Sequence, residues 1–175
     1  MRAMMTDGSE DVASYVAGLP RLRAAAGALF FDEVGRVLLV KPAYKGDWEI
    51  PGGVVERDES PCAACIREVR EELGITPRIG RLLGVDWVPP QEEWDAGLMF
   101  VFDGGVLPAE QVREVRVAPE ELERWEFVAV SEVAAVLVPR LARRVAECAR
   151  ARSGGGMYLE DGAVPAGAGH VVGAG

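Results

Sequence analysis

The sequence predicts an α/β protein in which helices cover both faces of a mixed β-sheet, an α/β/α sandwich. Short apolar strand patterns occupy most of residues 24–130, one amphipathic helix interrupts them, and a second helical stretch follows them. The length of 175 residues suits one domain with a substantial core. Hydrophobic residues make up 49% of the chain and charged residues 27%, which is typical of a globular protein.

The first half of the sheet is predicted around two glycine-containing turns. The turn Asp32-Glu33-Val34-Gly35 separates two apolar runs, so residues 24–32 and 36–41 should form a hairpin. Residues 48–50 and 54–56 are predicted as short strands on either side of Pro51-Gly52-Gly53.

The second half follows the interrupting helix. Ser131 is predicted to cap a helical region that ends near residue 151 and breaks at Pro139. The strands predicted before it are residues 78–87, 98–102, 112–117 and 127–130.

The composition divides the chain into three segments. Residues 1–20 are predicted to be a loosely ordered lead with at most one helical turn, and residues 21–152 form the domain. Residues 153–175 are rich in Gly and Ala, so this tail is predicted to be disordered, with Met157-Tyr158-Leu159 as its one part able to dock on the domain.

The interrupting helix has clear ends. Ser60 is a good N-cap, Pro61 suits the first helical position, and Gly74 suits the residue just past the C-terminus. Its predicted apolar stripe consists of Cys62, Ile66, Val69 and Leu73. Cys62 and Cys65 form a Cys-x-x-Cys pair, but no second pair completes a zinc site, so both are predicted to be core residues.

Three glutamates crowd the last two turns of this helix. Glu68, Glu71 and Glu72 lie at i, i+3 and i+4, which places them on one face. There they repel one another and meet the negative end of the helix dipole, so folding gives no reason for the arrangement. A bound divalent cation reverses the sign of the local field. The cluster therefore predicts a metal site that recruits phosphate.

Residues 53–75 resemble the signature of the Nudix hydrolase family, Gly-x5-Glu-x7-Arg-Glu-aliphatic-x-Glu-Glu-x-Gly-aliphatic. Every position matches, namely Gly53, Glu59, Arg67, Glu68, Val69, Glu71, Glu72, Gly74 and Ile75. The resemblance implies the α/β/α sandwich fold and hydrolysis of a nucleoside diphosphate linked to another group.

The resemblance also implies roles for the box residues. Glu68, Glu71, Glu72 and the carbonyl oxygen of Gly52 would ligate the metal, and Arg67 would orient a ligand carboxylate. Oxygen ligands suit Mg²⁺, with Mn²⁺ as a substitute. Glu59 would be structural. Arg67 as a surface residue paired with Glu71 is the alternative for that position.

Candidate residues outside the box have weaker support. Family members often recruit a further acidic residue before the last strand, and Glu120 is the first choice here, ahead of Glu121 and Glu123. Trp48, Trp87 and Trp94 are candidates for stacking on a nucleobase, although half-buried structural roles are an alternative. The only histidine, His170, lies in the tail, which argues against histidine-based catalysis.

A proline after the box bears on the substrate. Pro90 stands fifteen positions past Ile75, as is common in family members that cleave ADP-ribose, which favours ADP-ribose or a nucleotide sugar over nucleoside triphosphates. The alternative is that this proline only ends the strand at Trp87-Val88 and starts a turn. A non-catalytic nucleotide-sensing domain is the remaining alternative.

The net charge of −9 argues against nucleic-acid polymers as partners. No signal peptide or membrane-spanning run is visible, so a cytoplasmic protein without membrane contact is expected. The family resemblance is compatible with a homodimer.

Overall fold

The computed structural model describes residues 7–92 and 94–166. Within these residues, seven strands form one mixed sheet. The strands are β1 (Arg23–Phe31), β2 (Val37–Pro42), β3 (Gly52–Val54), β4 (Leu82–Val88), β5 (Gly97–Val106), β6 (Leu122–Val128) and β7 (Met157–Glu160). The helices are α1 (Asp7–Gly18), α2 (Pro61–Leu73), α3 (Ala109–Glu114) and α4 (Pro139–Ala151), and a 3-10 turn spans Val130–Ala135.

The strand order is β6-β2-β1-β5-β4-β7, and β3 pairs with β1. The pairs β1–β5 and β4–β7 are parallel and the others are antiparallel, including the predicted β1–β2 hairpin. Because β1 is central and covered on both faces, it needs apolar side chains on both sides. Leu29 and Phe31 belong to one core cluster, whereas Ala28 and Phe30 belong to the other.

The two core clusters lie on opposite faces of the sheet. One contains the buried side of α4, including Val145 and Cys148, and the other contains the buried side of α2, including Val69 and Leu73. The predicted α/β/α sandwich is therefore confirmed. No helix in the described part of the chain is long and apolar enough to cross a membrane.

Several secondary-structure predictions are wrong. Residues 48–50 form only an isolated bridge at Glu49, and the strand predicted at residues 54–56 is instead β3, Gly52–Val54. Ser131 caps no helix, because the 3-10 turn begins at Val130. Residues 112–117, predicted as a strand, lie in and just after helix α3, because Val112 and Val115 are three apart and pack on one side against the core. Strand β6 begins at Leu122 rather than at residue 127. Its exposed charged residues obscured the strand pattern, although such residues are common on an edge strand.

The segment after Ser153 differs most from the prediction. Residues 157–160 form β7, which extends the sheet beside β4, and Leu159 is fully buried in the α4-side core. The prediction of disorder is therefore wrong for residues 153–166, and docking through Leu159 is what occurs. Residues 167–175, with His170, lie outside the described residues, as do residues 1–6. Residues 7–18 form α1 instead of a single turn.

Candidate functional site

Helix α2 begins and ends as its sequence predicts. The Ser60 side chain accepts a hydrogen bond from the Ala63 N–H (3.2 Å), and Pro61 is the first helical residue. Gly74 closes the helix in the left-handed conformation, with φ 68°, and its N–H bonds to the Arg70 carbonyl (3.0 Å). These ends place the three glutamates in the last two turns of the helix.

The buried side of α2 is rotated from the predicted stripe. Cys62 is exposed, so its predicted core position is wrong, while Cys65 is buried. Burial raises the pKa of the Cys65 thiol to about 12, which keeps it protonated and unreactive. The buried residues of α2 are Ala64, Cys65, Val69 and Leu73.

Arg67 connects the acidic residues of the box. Its Nε and Nη2 donate to the two carboxylate oxygens of Glu59, each at 3.1 Å. Its Nη1 lies 2.8 Å from Glu68 Oε1 and 3.0 Å from Glu71 Oε2. The guanidinium holds the pKa of Glu59 below its usual value, and these contacts raise the pKa of Arg67 itself. Arg67 therefore orients two predicted ligand carboxylates, and Glu59 anchors Arg67.

The glycine pair brings the β1–β3 backbone against these carboxylates. The Gly52 N–H donates to Glu72 Oε2 at 2.8 Å. With φ 144°, Gly52 adopts a conformation that favours glycine, and a Cβ there would lie 2.3 Å from the Ala26 carbonyl oxygen. A Cβ on Gly53 would lie 2.4 Å from the Glu68 carboxylate. Only glycines leave room for this contact.

Glu72 lies in a strongly acidic environment. Burial raises the pKa of its carboxyl to about 8, although the Gly52 N–H acts in the opposite direction. The charges of Glu68, Glu49 and Glu121 raise it further. Among the acidic residues before β6, Glu121 is the one whose charge acts on Glu72, while the role of Glu120 stays a prediction.

The donor types fit a hard divalent cation, because they are carboxylate and main-chain carbonyl oxygens. Within the described residues, no three acidic, histidine or cysteine side chains already converge at coordination distance. Arg67 donates hydrogen bonds to Glu68 and Glu71, and the Gly52 N–H donates one to Glu72. Arg67 contacts one oxygen of Glu68 (Oε1) and one of Glu71 (Oε2), so the second oxygen of each carboxylate would be the one to bind the cation.

A cleft of about 430 Å³ opens beside the glycine pair, a volume in the range of small-molecule sites. Its lining includes Glu49, Gly52 and Gly53 at the box end. Sequence reasoning missed Glu49, although a carboxylate within the apolar run Trp48-Glu49-Ile50 was a detectable sign.

The three predicted tryptophans occupy different environments. Trp94 lines the cleft, is 62% exposed and stacks under the Arg23 guanidinium, whose carbon lies 4.6 Å from the ring centre. Trp48 packs against the α4-side core, with Arg124 over its ring. Trp87 lies in β4, paired with Leu98 of β5. Of the three tryptophans, Trp94 lines the cleft that also borders the box glycines, whereas Trp48 and Trp87 do not.

The NUDIX domain model matches residues 21–148. A MutT-like protein of Streptomyces ambofaciens is 49% identical over 53 residues, 30% of this chain and 34% of the relative. Human diphosphoinositol polyphosphate phosphohydrolase 2 is 42% identical over 64 residues, 36% of each protein. The matches thus span about a third of these curated relatives.

Solved structures share the fold over more of the chain. A MutT protein from Methanosarcina mazei Go1 superposes with TM-score 0.64 and 26% identity, covering 78% of this chain and 99% of that one. A UDP-X diphosphatase gives TM-score 0.66 at 21% identity, covering 86% of this chain and 74% of that one. The family model, the complete box and these superpositions show that the chain belongs to the Nudix hydrolase family.

Proposed function

We propose that this protein is a Mg²⁺-dependent hydrolase that cleaves the diphosphate linkage of a nucleoside diphosphate joined to another group, with ADP-ribose or a nucleotide sugar as substrate. The observation that carries the proposal is the convergence of Glu68 and Glu72 on the Gly52–Gly53 backbone at one end of the cleft. Carboxylates held there without a cation repel each other, whereas a phosphate-bound cation would stabilise them.

Each residue has a definite task in this proposal. Glu68, Glu71, Glu72 and the Gly52 carbonyl would hold the ion, and Arg67 sets the orientation of Glu68 and Glu71. When bound, Mg²⁺ supplies charge neutralisation at the phosphates and lowers the pKa of a coordinated water. Glu49, which lines the cleft with Gly52, and Glu121, whose charge acts on Glu72, would be the candidate general bases.

The substrate assignment rests on the cleft and on the comparisons. The ring of Trp94 at the cleft offers a stacking surface for a nucleobase. Relatives of the same fold include a UDP-X diphosphatase and an ADP-ribose pyrophosphatase of Streptococcus suis. Nucleoside triphosphates are the second candidate, because MutT proteins are among the similar sequences and structures.

A turnover screen tests the proposal. ADP-ribose, UDP-glucose and the common nucleoside triphosphates would each be assayed with Mg²⁺, with Mn²⁺ and with excess chelator. The expected result is metal-dependent cleavage of a diphosphate-linked compound, with kcat/KM for ADP-ribose or the nucleotide sugar above that for any triphosphate. A triphosphate preference of about tenfold, or 1.4 kcal/mol, would select the second candidate. No turnover of any compound would instead support a nucleotide-sensing domain.

A further inference from the structure

The first turns of helix α4 form part of the wall of the cleft. Arg140 and Arg144 are four residues apart, so they lie on one side of the helix, and both line the cleft together with Leu141. The buried face of α4 otherwise consists of apolar residues and alanine or cysteine. Arg144, with only 7% of the residue exposed, is the exception.

Arg144 is fixed by a buried carboxylate. Asp86 of β4 is fully buried, and its Oδ2 accepts a hydrogen bond from Arg144 Nε at 2.7 Å and lies 2.6 Å from Arg144 Nη2. Its Oδ1 accepts a hydrogen bond from the Gly162 N–H at 3.0 Å. Both carboxylate oxygens thus have partners, and Arg144 contacts Asp86 through Nε and Nη2, the edge of the guanidinium opposite Nη1.

Folding alone gives little reason for this pair. Burying two charges costs several kcal/mol, and apolar replacements of buried ion pairs are often neutral or stabilising. The segment after β7 also contacts α4 through Asp161, whose carboxylate accepts a hydrogen bond from Arg143 and lies 3.9 Å from Arg140. The contacts with Asp86 therefore hold Arg144 at the wall of the cleft, where Arg140 also lies.

The charge of the cleft is opposite to that of the whole chain. Its lining contains the cations Arg23, Lys45, Arg140 and Arg144 and one carboxylate, Glu49, in a chain whose net charge is −9. Lys45 already pairs with Glu49 at 2.5 Å. Because Asp86 and Asp161, the partners of Arg144 and Arg140, do not line the cleft, its wall presents guanidinium groups rather than carboxylates to an anion.

We propose that Arg140 and Arg144 form an anion subsite that binds a phosphate monoester of the substrate, separate from the diphosphate that is cleaved, and that Asp86 is the positioning residue for Arg144. The inference rests on the proposed function, because the diphosphate is placed at the box end of the same cleft. A planar guanidinium held by Asp86 through one edge presents its other nitrogen to a phosphate oxygen. The phosphate can belong to the nucleoside half or to the other half of the substrate.

The kinetic test compares three substrates with Mg²⁺. ADP-ribose lacks the additional phosphate, its 2′-phosphorylated form carries it on the nucleoside half, and ADP-ribose 1″-phosphate carries it on the other half. For wild type, kcat/KM for one phosphorylated compound should exceed that for ADP-ribose by about tenfold or more. The better compound identifies the half that enters the subsite, and a preference for unphosphorylated ADP-ribose over both would overturn the proposal.

Matched variants on α4 localise the effect. Arg140→Gln and Arg144→Lys should abolish the preference through KM while kcat for ADP-ribose stays within about twofold. Arg143→Gln is the control, because this neighbouring arginine pairs with Asp161 but does not line the cleft. Asp86→Asn should act like Arg144→Lys. If that variant fails to fold, the two arginine variants still decide, and an unchanged preference in both contradicts the proposal.

A binding measurement separates this inference from the proposed function. Calorimetric titration with adenosine 2′,5′-bisphosphate and with ribose 1,5-bisphosphate, which represent the two phosphorylated halves, requires no turnover. Arg140→Gln and Arg144→Lys should raise the Kd of the ligand that binds by about fivefold or more, while Arg143→Gln should not. If no substrate is hydrolysed but this pattern appears, the hydrolase assignment fails and the subsite stands. Equal Kd values in all four proteins would overturn the subsite.

Discussion

Replacing Leu159 by alanine tests whether β7 is part of the folded domain. Leu159 is fully buried against the α4-side core, whereas its neighbour Tyr158 is 48% exposed. A buried Leu→Ala change costs about 2–5 kcal/mol, and β7 is an edge strand that can relax, so about 2–3 kcal/mol is expected. For a chain of this size each kcal/mol lowers Tm by roughly 2–4 °C, which gives a decrease of about 4–12 °C.

The assay is urea unfolding followed by circular dichroism, with thermal melting as a second measurement. Tyr158→Ala is the matched control, since it removes a larger side chain from the same strand but only an exposed hydrogen bond to Glu160. It should lower the free energy of unfolding by less than about 1 kcal/mol. Equal effects of the two substitutions, or none from Leu159→Ala, would refute the assignment of β7 to the sheet.

Three further predictions concern the acidic box. Gly53→Ala should reduce turnover more than stability, because its Cβ would displace the flexible side chain of Glu68. Gly52→Ala should lower Tm strongly, because its Cβ would collide with backbone atoms. Activity and melting assays of both variants check this. Without metal, the free energy of unfolding should fall as pH rises from about 5 to 9. The pKa of Glu72 is raised to about 8 in the folded protein, so between these pH values the folded state binds a proton that the unfolded state has already lost. In Glu72→Gln this part of the slope should vanish, and an unchanged pH dependence of urea unfolding would contradict it. Arg67→Lys should lower kcat by about 10–100-fold because one ammonium cannot replace the planar contacts, and near-normal kcat would disprove the orienting role.

The box was predictable because its information is local. The helix ends at Ser60 and Gly74, and the one-sided placement of the glutamates, follow from spacing and capping alone. The resemblance added the Gly52 loop, and the structure shows how closely its backbone approaches Glu72.

The rest of the site depends on contacts between distant parts of the chain. Asp86 and Arg144 are 58 residues apart, and their pairing arises only when β4 and α4 pack face to face. Glu49 and Glu121 approach Glu72 from separate loops, which no short pattern predicts. Strand β7 was missed because it has only four residues and lies in a glycine-rich segment, which hides a strand pattern. Its stability comes from the burial of Leu159 and from pairing with β4.

Turnover of ADP-ribose by Glu72→Gln with Mg²⁺ tests the central claim most directly. The substitution keeps the size of the side chain and removes the charge proposed to bind the ion. Glu110→Gln is the control, since Glu110 is an exposed glutamate on α3. The account predicts a fall in kcat of about a hundredfold or more with an unchanged circular dichroism spectrum, and no loss in the control. Turnover by Glu72→Gln within about threefold of the control would contradict the proposed metal site.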